Sequence, residues 1–387
     1  MFEFIVFILL IVAALFPFLI YYNYSPPSPN NVSNHMTNIV SSYHFREETH
    51  DISGVKIHCV VKDSTQATDA VLVFIHGTAS SSVTFFDTMK ALPHTIKCVA
   101  IDLPAFGISG HIDTELYSTN EKLCVGYADV VGHTLCQMKI VEQTILVAHS
   151  LGGFLSIYVA NRFPIKKLIL LNPAGILPTL GIWGYYWAIF FKSGLPTTLF
   201  QLPMVSPDLL NYLGRLWLTG EGDNSNDPIT EFWLSFFSNQ FNEGSRIVER
   251  MITLRPFYSY WNTPAISVLM DVYKKVPTSI CFGVDDTICP SHIGAFLRRL
   301  TQGEIMLHNI QNANHNPCTN TVCMVKFLVD TCNDAVAKPE KSWRKKECKN
   351  DNERKYCCRG YSYPVLKKTR ESIQSVYDYL LTNTTLH

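Results

Sequence analysis

The chain has 387 residues, 47% of them apolar and 17% charged, with 32 basic residues balanced by 32 acidic ones. That length and apolar content are enough for one large core or two modest ones and exclude an intrinsically disordered chain. A formal net charge of zero removes the electrostatic footprint of a nucleic-acid-binding protein, so no nucleic acid partner is expected.

In chain order, residues 4–20 read FIVFILLIVAALFPFLI, close to the roughly 20 apolar residues a membrane helix requires. The run starts Met-Phe-Glu and ends in Tyr and Asn, without the basic leader or small-residue cleavage site of a signal peptide. Residues 1–22 are therefore expected to be a single-pass membrane anchor, which makes a membrane a partner. Since no Lys or Arg precedes Arg46, the positive-inside rule assigns no side. Sequons at Asn23, Asn31 and Asn383 would matter only in a secretory lumen. Residues 23–42 open with NYSPPSPNNVSN and are expected to be a linker.

From residue 43, short runs rich in β-branched residues alternate with helix-length stretches. Strands are expected at Val55–Val61, Ala70–Ile75, Lys97–Asp102, Thr144–Ala148, Lys167–Asn172, Thr278–Phe282 and Gly303–Ile310. Ser82–Leu92, Asn120–Met138 and Leu151–Phe163 suit crossover helices. The fold class is α/β with a mostly parallel central sheet over residues 43–335, and such sheets carry their sites at the carboxyl ends of the strands.

Between about 176 and 275 strand patterns vanish and aromatic residues crowd in, most densely in GIWGYYWAIFF at Gly181–Phe191. This segment is expected to be an inserted helical cap. Most of its aromatics would form the cap's own core, and the remainder would line a passage or face a membrane. Beyond it, residues 336–387 form a basic tail, with twelve Lys or Arg against four Asp or Glu from Lys338 to Arg370. Such a tail is either simply solvated or drawn to anionic lipid headgroups. Among the 12 Cys, Cys59, Cys98 and Cys281 fall in apolar strand runs and read as buried small hydrophobes. Cys348, Cys357 and Cys358 in the tail suit disulfides, acylation or free thiols alike.

The chemistry-bearing stretch is LVAHSLGGF, Leu146–Phe154. A serine held up where a buried strand turns into a helix is either an ordinary turn or a nucleophile, and a nucleophilic Ser needs a base, a carboxylate to orient it and oxyanion donors. Ala148-His149-Ser150-Leu151-Gly152 fits G-x-S-x-G with Ala for the first Gly. After the strand VLVFI come His76-Gly77-Thr78, where the Thr78 amide, with the Leu151 amide at a helix N-terminus, would form an oxyanion hole. His76 itself reads as a structural hydrogen-bonding residue. Two later strands end in GVDDTICP, carrying Asp285 and Asp286, and in NANHNP, carrying His315.

With HGT, DLPAFGISG, AHSLGG, NPAG, GVDDTICP and NANHNP in this order, residues 43–335 resemble the capped serine hydrolases of the α/β-hydrolase fold family. The anchor and the aromatic segment resemble, more narrowly, its membrane-bound monoacylglycerol lipases. The resemblance implies a Ser150–Asp286–His315 triad, with Asp286 preferred over Asp285 because the family's carboxylate lies three residues after the Gly at position 283. It implies Thr78 and Leu151 as oxyanion donors, no metal or cofactor, and a lipid or other hydrophobic ester as substrate. Ala148 and Ala105 depart from the more usual Gly, and the doubt they raise concerns local backbone geometry. A small-substrate esterase, thioesterase or C–C hydrolase, or a non-catalytic binding module, remain alternatives.

Overall fold

Largely buried runs, flanked by the partly exposed outer strands, assemble into one eight-stranded sheet in the computed structural model, which describes residues 29–78, 80–112, 120–176, 265–286, 289 and 291–337. The strands are β1 (Arg46–Ile52), β2 (Val55–Lys62), β3 (Val71–Ile75), β4 (Lys97–Ile101), β5 (Thr144–His149), β6 (Lys167–Leu171), β7 (Thr278–Gly283) and β8 (Met306–Ile310). Their spatial order is β1-β2-β4-β3-β5-β6-β7-β8. β1–β2 and β2–β4 pair antiparallel, and every pairing from β4 to β8 is parallel. The helices are α1 (Pro29–Ser42), α2 (Phe86–Ala91), α3 (Asn120–Gln137), α4 (Leu151–Arg162), α5 (Ala265–Val272), α6 (His292–Leu300) and α7 (Thr321–Ala337).

The period-2 alternation of the strands feeds two cores. Leu146 and Ala148 of β5 join the layer under α3, α4, α5 and α6, whereas Ile145 and Val147 join the layer under α1, α2 and α7. The same split holds for Val73 against Phe74 and for Leu170 against Leu171. A parallel sheet covered on both faces needs apolar residues at both phases, which is why these runs read as continuous rather than alternating.

Three sequence expectations change. Residues 23–42 are not all linker, because Pro29–Ser42 is a helix whose Met36, Ile39 and Val40 are buried. Pro at the first helical turn and apolar residues at i, i+3 and i+4 supply the reason. The cap does not extend to 275, because Ala265–Val272 is helix α5 and packs Ala265, Ile266, Leu269 and Val272 into the core shared with α4. β8 starts at Met306 because the preceding Gln302 and Gly303 take positive φ of 55° and 87°, closing a turn. β1, REETHDI, was not expected. Its charged residues place it at the sheet edge, where it pairs with β2 from Arg46↔Val61 to Ile52↔Val55.

The expected anchor at 1–22, most of the expected cap and the basic tail lie outside the described residues. Among the described residues, no helix is long and apolar enough to cross a membrane.

Candidate active site

The strand order reverses between β3 and β5: the chain runs from β3 outward to β4, then returns to lay β5 on the other side of β3. Loops leaving β3 and β5 therefore diverge and open a crevice at the carboxyl ends of the strands. His76, Gly77 and Thr78 follow β3, Ser150 follows β5, Asn172 follows β6, Asp286 follows β7 and His315 follows β8.

Ser150 caps α4 with φ 51° and ψ −117°, a region that costs a non-glycine residue roughly 1–3 kcal/mol. Surrounding contacts impose it: the Ser150 amide donates to Leu171 O at 3.0 Å and Ser150 O accepts from Phe154 N at 3.2 Å. The sharp turn also requires bare backbone around it. A Cβ on Gly152 would stand 2.3 Å from His76 O, and one on Gly77 would stand 2.9 Å from Ser150 Cβ. Gly77 is thereby pressed against the serine, with Thr78 next in the loop. Leu151 is the first residue of α4, so its amide has no intrahelical acceptor. His76 is wholly buried; Nε2 accepts from Leu103 N at 3.0 Å, leaving Nδ1–H to donate to Gly77 O at 2.7 Å. That is the structural role expected of it.

Ser150 Oγ lies 3.0 Å from His315 Nε2, and His315 Nδ1 lies 2.9 Å from Asp286 Oδ2. Asp286 rather than Asp285 reaches the histidine. Its side chain is fully buried, whereas that of His315 is 20% exposed. Burial pushes the Asp286 carboxyl up, but hydrogen bonds from His315, the Cys289 amide and Asn172 outweigh it and hold the group below its ordinary range. The Cys289 amide donates to Oδ1 at 2.9 Å, and the Asn172 side-chain amide donates to Oδ2. Asn172 in turn accepts from Gly283 N at 3.1 Å. Sequence reasoning assigned Asn172 no role; the signal was an Asn at a strand's carboxyl end, inside the quoted NPAG.

Asp286, Cys289 and His315 bring ligand-type atoms within 4.8 Å of one another. Both Asp286 oxygens already accept hydrogen bonds, and burial foremost, then Asp286, pushes the Cys289 thiol well up. A protonated thiol is a poor metal ligand, so the set suits proton handling rather than coordination. A hydroxyl, an imidazole and an ionised carboxylate in this line can move a proton off the hydroxyl as it attacks an electrophilic carbon.

The sequence signature of the Alpha/beta hydrolase family matches residues 72–321. The chain is similar to a cis-3-alkyl-4-alkyloxetan-2-one decarboxylase of Shewanella oneidensis, 24% identical over 254 residues covering 62% of this chain and 73% of that protein. It is also similar to a 1-acylglycerol-3-phosphate O-acyltransferase of Saccharomyces cerevisiae, 24% identical over 293 residues covering 65% of this chain and 67% of the other. Among solved structures, Cfl2 of Burkholderia cenocepacia superposes with a TM-score of 0.58 at 18% identity, covering 74% of this chain and 95% of that one. This last likeness is one of fold.

Proposed function

The chain belongs to the α/β-hydrolase family, and on that premise we propose that it is a membrane-anchored serine hydrolase that cleaves a lipid acyl ester such as a monoacylglycerol. His315 Nε2 takes the Ser150 Oγ proton as the oxygen attacks the acyl carbonyl, and the Thr78 and Leu151 amides hold the oxyanion. Asp286 fixes the imidazole tautomer and stabilises the imidazolium. Collapse of the tetrahedral intermediate breaks the ester C–O bond, with the proton passing from His315 Nε2 to the leaving alcohol. Water, deprotonated by the same nitrogen, then attacks the acyl-enzyme and frees the acid and Ser150.

The observation that carries this reading is the continuous relay from Ser150 Oγ to His315 to Asp286 at 3.0 and 2.9 Å, set under a strained serine at a helix N-terminus. The lipid part is supported by the apolar run at 4–20 and the aromatic density of 176–275, both features of the sequence. A relative whose name specifies 1-acylglycerol-3-phosphate adds support.

The test is labelling of the full-length protein in membranes by a fluorophosphonate probe, with Ser150→Ala alongside, followed by an acyl-length series of glycerol esters. The reading expects label on wild type alone and a preference for medium or long chains over acetyl. Near-wild-type ester turnover by Ser150→Ala would overturn the mechanism; indifference to chain length would overturn the lipid substrate.

A further inference from the structure

His149, the residue before the nucleophile, has no part in the proton relay, yet it is 7% exposed and joins two of the site's loops. As the last residue of β5 it shares the face of Ile145 and Val147, beneath the loop that carries His315. Its Nε2 stands 2.8 Å from the backbone carbonyl oxygen of His315. A carbonyl oxygen only accepts, so Nε2 carries the proton and Nδ1 is the bare lone pair. That lone pair is buried and has no hydrogen-bond partner. It faces Gly77, where an added Cβ would come within 3.1 Å of Nδ1.

A buried acceptor left unpaired is a cost to the fold, and an apolar side chain would avoid it. The donor on the opposite side of the ring gives the histidine its reason: nothing apolar can hold the His315 carbonyl. Elsewhere the loop from β8 to His315 is held at Ala313 O, which accepts from the Asp285 amide at 2.9 Å, and at Gln311 O, which accepts from the Asn320 side chain at 2.9 Å, so His149 supplies the tie at His315 itself. The ring also lies against His315, with centroids 5.0 Å apart. Burial foremost, then the neighbouring His315, pushes the His149 pKa down to about 3, so the donor stays in one neutral form across the working pH range.

We infer that His149 is a positioning residue: its Nε2–H pins the His315 backbone, so that the loop carrying the base is registered against the strand that ends at the nucleophile. This inference rests on the serine-hydrolase reading above. Its test compares full-length wild type with His149→Phe, which keeps a ring and loses the donor, and His149→Gln, which keeps a donor and loses the ring. The readouts are the second-order rate of fluorophosphonate labelling and the split between kcat and KM on one ester.

Loss of registration should slow labelling and lower kcat about 10-fold to 100-fold in His149→Phe, with KM nearly unchanged and the melting temperature close to wild type. His149→Gln should recover most of the rate. Equal labelling by His149→Phe and wild type would overturn the inference while leaving the serine-hydrolase reading intact. So would an equal fall in both variants, because the donor kept by His149→Gln would then not be what registers the loop. Should His149→Phe fail to fold, His149→Gln decides alone, since a deep loss there contradicts a donor role. A wild-type protein that takes no label removes the underlying reading and this inference with it.

Discussion

Asn172 donates its side-chain amide to the same Asp286 oxygen that faces His315 Nδ1. Two donors on one buried oxygen keep the carboxylate ionised and fix the direction in which it presents its lone pair. Asn172 also holds φ 42°, a left-handed conformation that Asn tolerates better than most side chains.

Asn172→Gly keeps the backbone at ease and removes both side-chain hydrogen bonds, the one to Asp286 and the one from Gly283 N. A lost bond to a charged group is worth about 1.5–3 kcal/mol, and kcat should fall roughly 10-fold to 100-fold. Asn172→Ala should fall as far in kcat and also melt lower, because Ala is strained at this φ. Unchanged turnover in Asn172→Gly would mean that the Cys289 amide and His315 alone fix Asp286.

Gly152→Ala should be among the most damaging small substitutions in the protein. The new methyl would meet His76 O at 2.3 Å and Ile75 O at 2.7 Å, and backbone atoms of a central strand cannot swing aside. Overpacking of this kind costs about 1–3 kcal/mol or more. Chemical denaturation should show that loss, and any folded fraction should label poorly because the β3 loop and the serine turn are driven apart. Wild-type stability and labelling would show that α4 can slide along its axis.

Away from the site, His58 links two carboxylates: Nδ1 stands 2.9 Å from Asp102 Oδ2 and Nε2 stands 3.0 Å from Glu47 Oε1. Burial pushes the His58 pKa down, but hydrogen bonds with Asp102 and then Glu47 outweigh it and raise it to about 9. Because the folded value lies above the unfolded one, this stabilisation is complete below pH about 6.5 and is lost as pH rises through about 9. Asp102 runs oppositely: burial raises its carboxyl, bonds with His58 outweigh that and lower it, and its contribution disappears as pH falls through the depressed value. Denaturant midpoints should decline from neutral pH to pH about 10 in wild type and much less in His58→Leu. Parallel slopes in the two proteins would remove His58 as the cause.

The sheet and the relay were legible because both are local. Thr144–His149, Val71–Ile75 and Thr278–Gly283 are uniformly buried runs at strand length; Ser150 directly follows the first, Asp286 stands in the turn after the last, and His315 lies in the loop after the partly buried β8. What was not legible is pairing at a distance. β1 has no apolar pattern because it is an edge strand held by its ladder to β2 and by ions such as Glu47, which reaches His58. Asn172 and His149 act through groups 114 and 166 positions away along the chain, and no spacing rule connects them. Ala105, noted as a departure from Gly, holds φ 64°; its amide donates to Gly110 O at 2.9 Å, and the chain bears the strain of a left-handed alanine in that turn.

The N-terminal helix bounds how the body could sit at a membrane. α1 is described from Pro29, so if residues 1–22 are the anchor, at most six residues lie between it and α1. Six residues span at most about 20 Å, which would hold the catalytic body against the bilayer surface. Deleting residues 1–22 should release the protein to the soluble fraction with labelling by the fluorophosphonate probe intact, and should lower turnover of vesicle-borne esters far more than of water-soluble ones. Deleting residues 1–43 should unfold the protein instead, since burial of Met36, Ile39 and Val40 is lost at about 1.5–3 kcal/mol for each large side chain. If the shorter deletion stays with the membrane pellet, another segment binds the bilayer, and the basic residues from Lys338 to Arg370 are the first to neutralise.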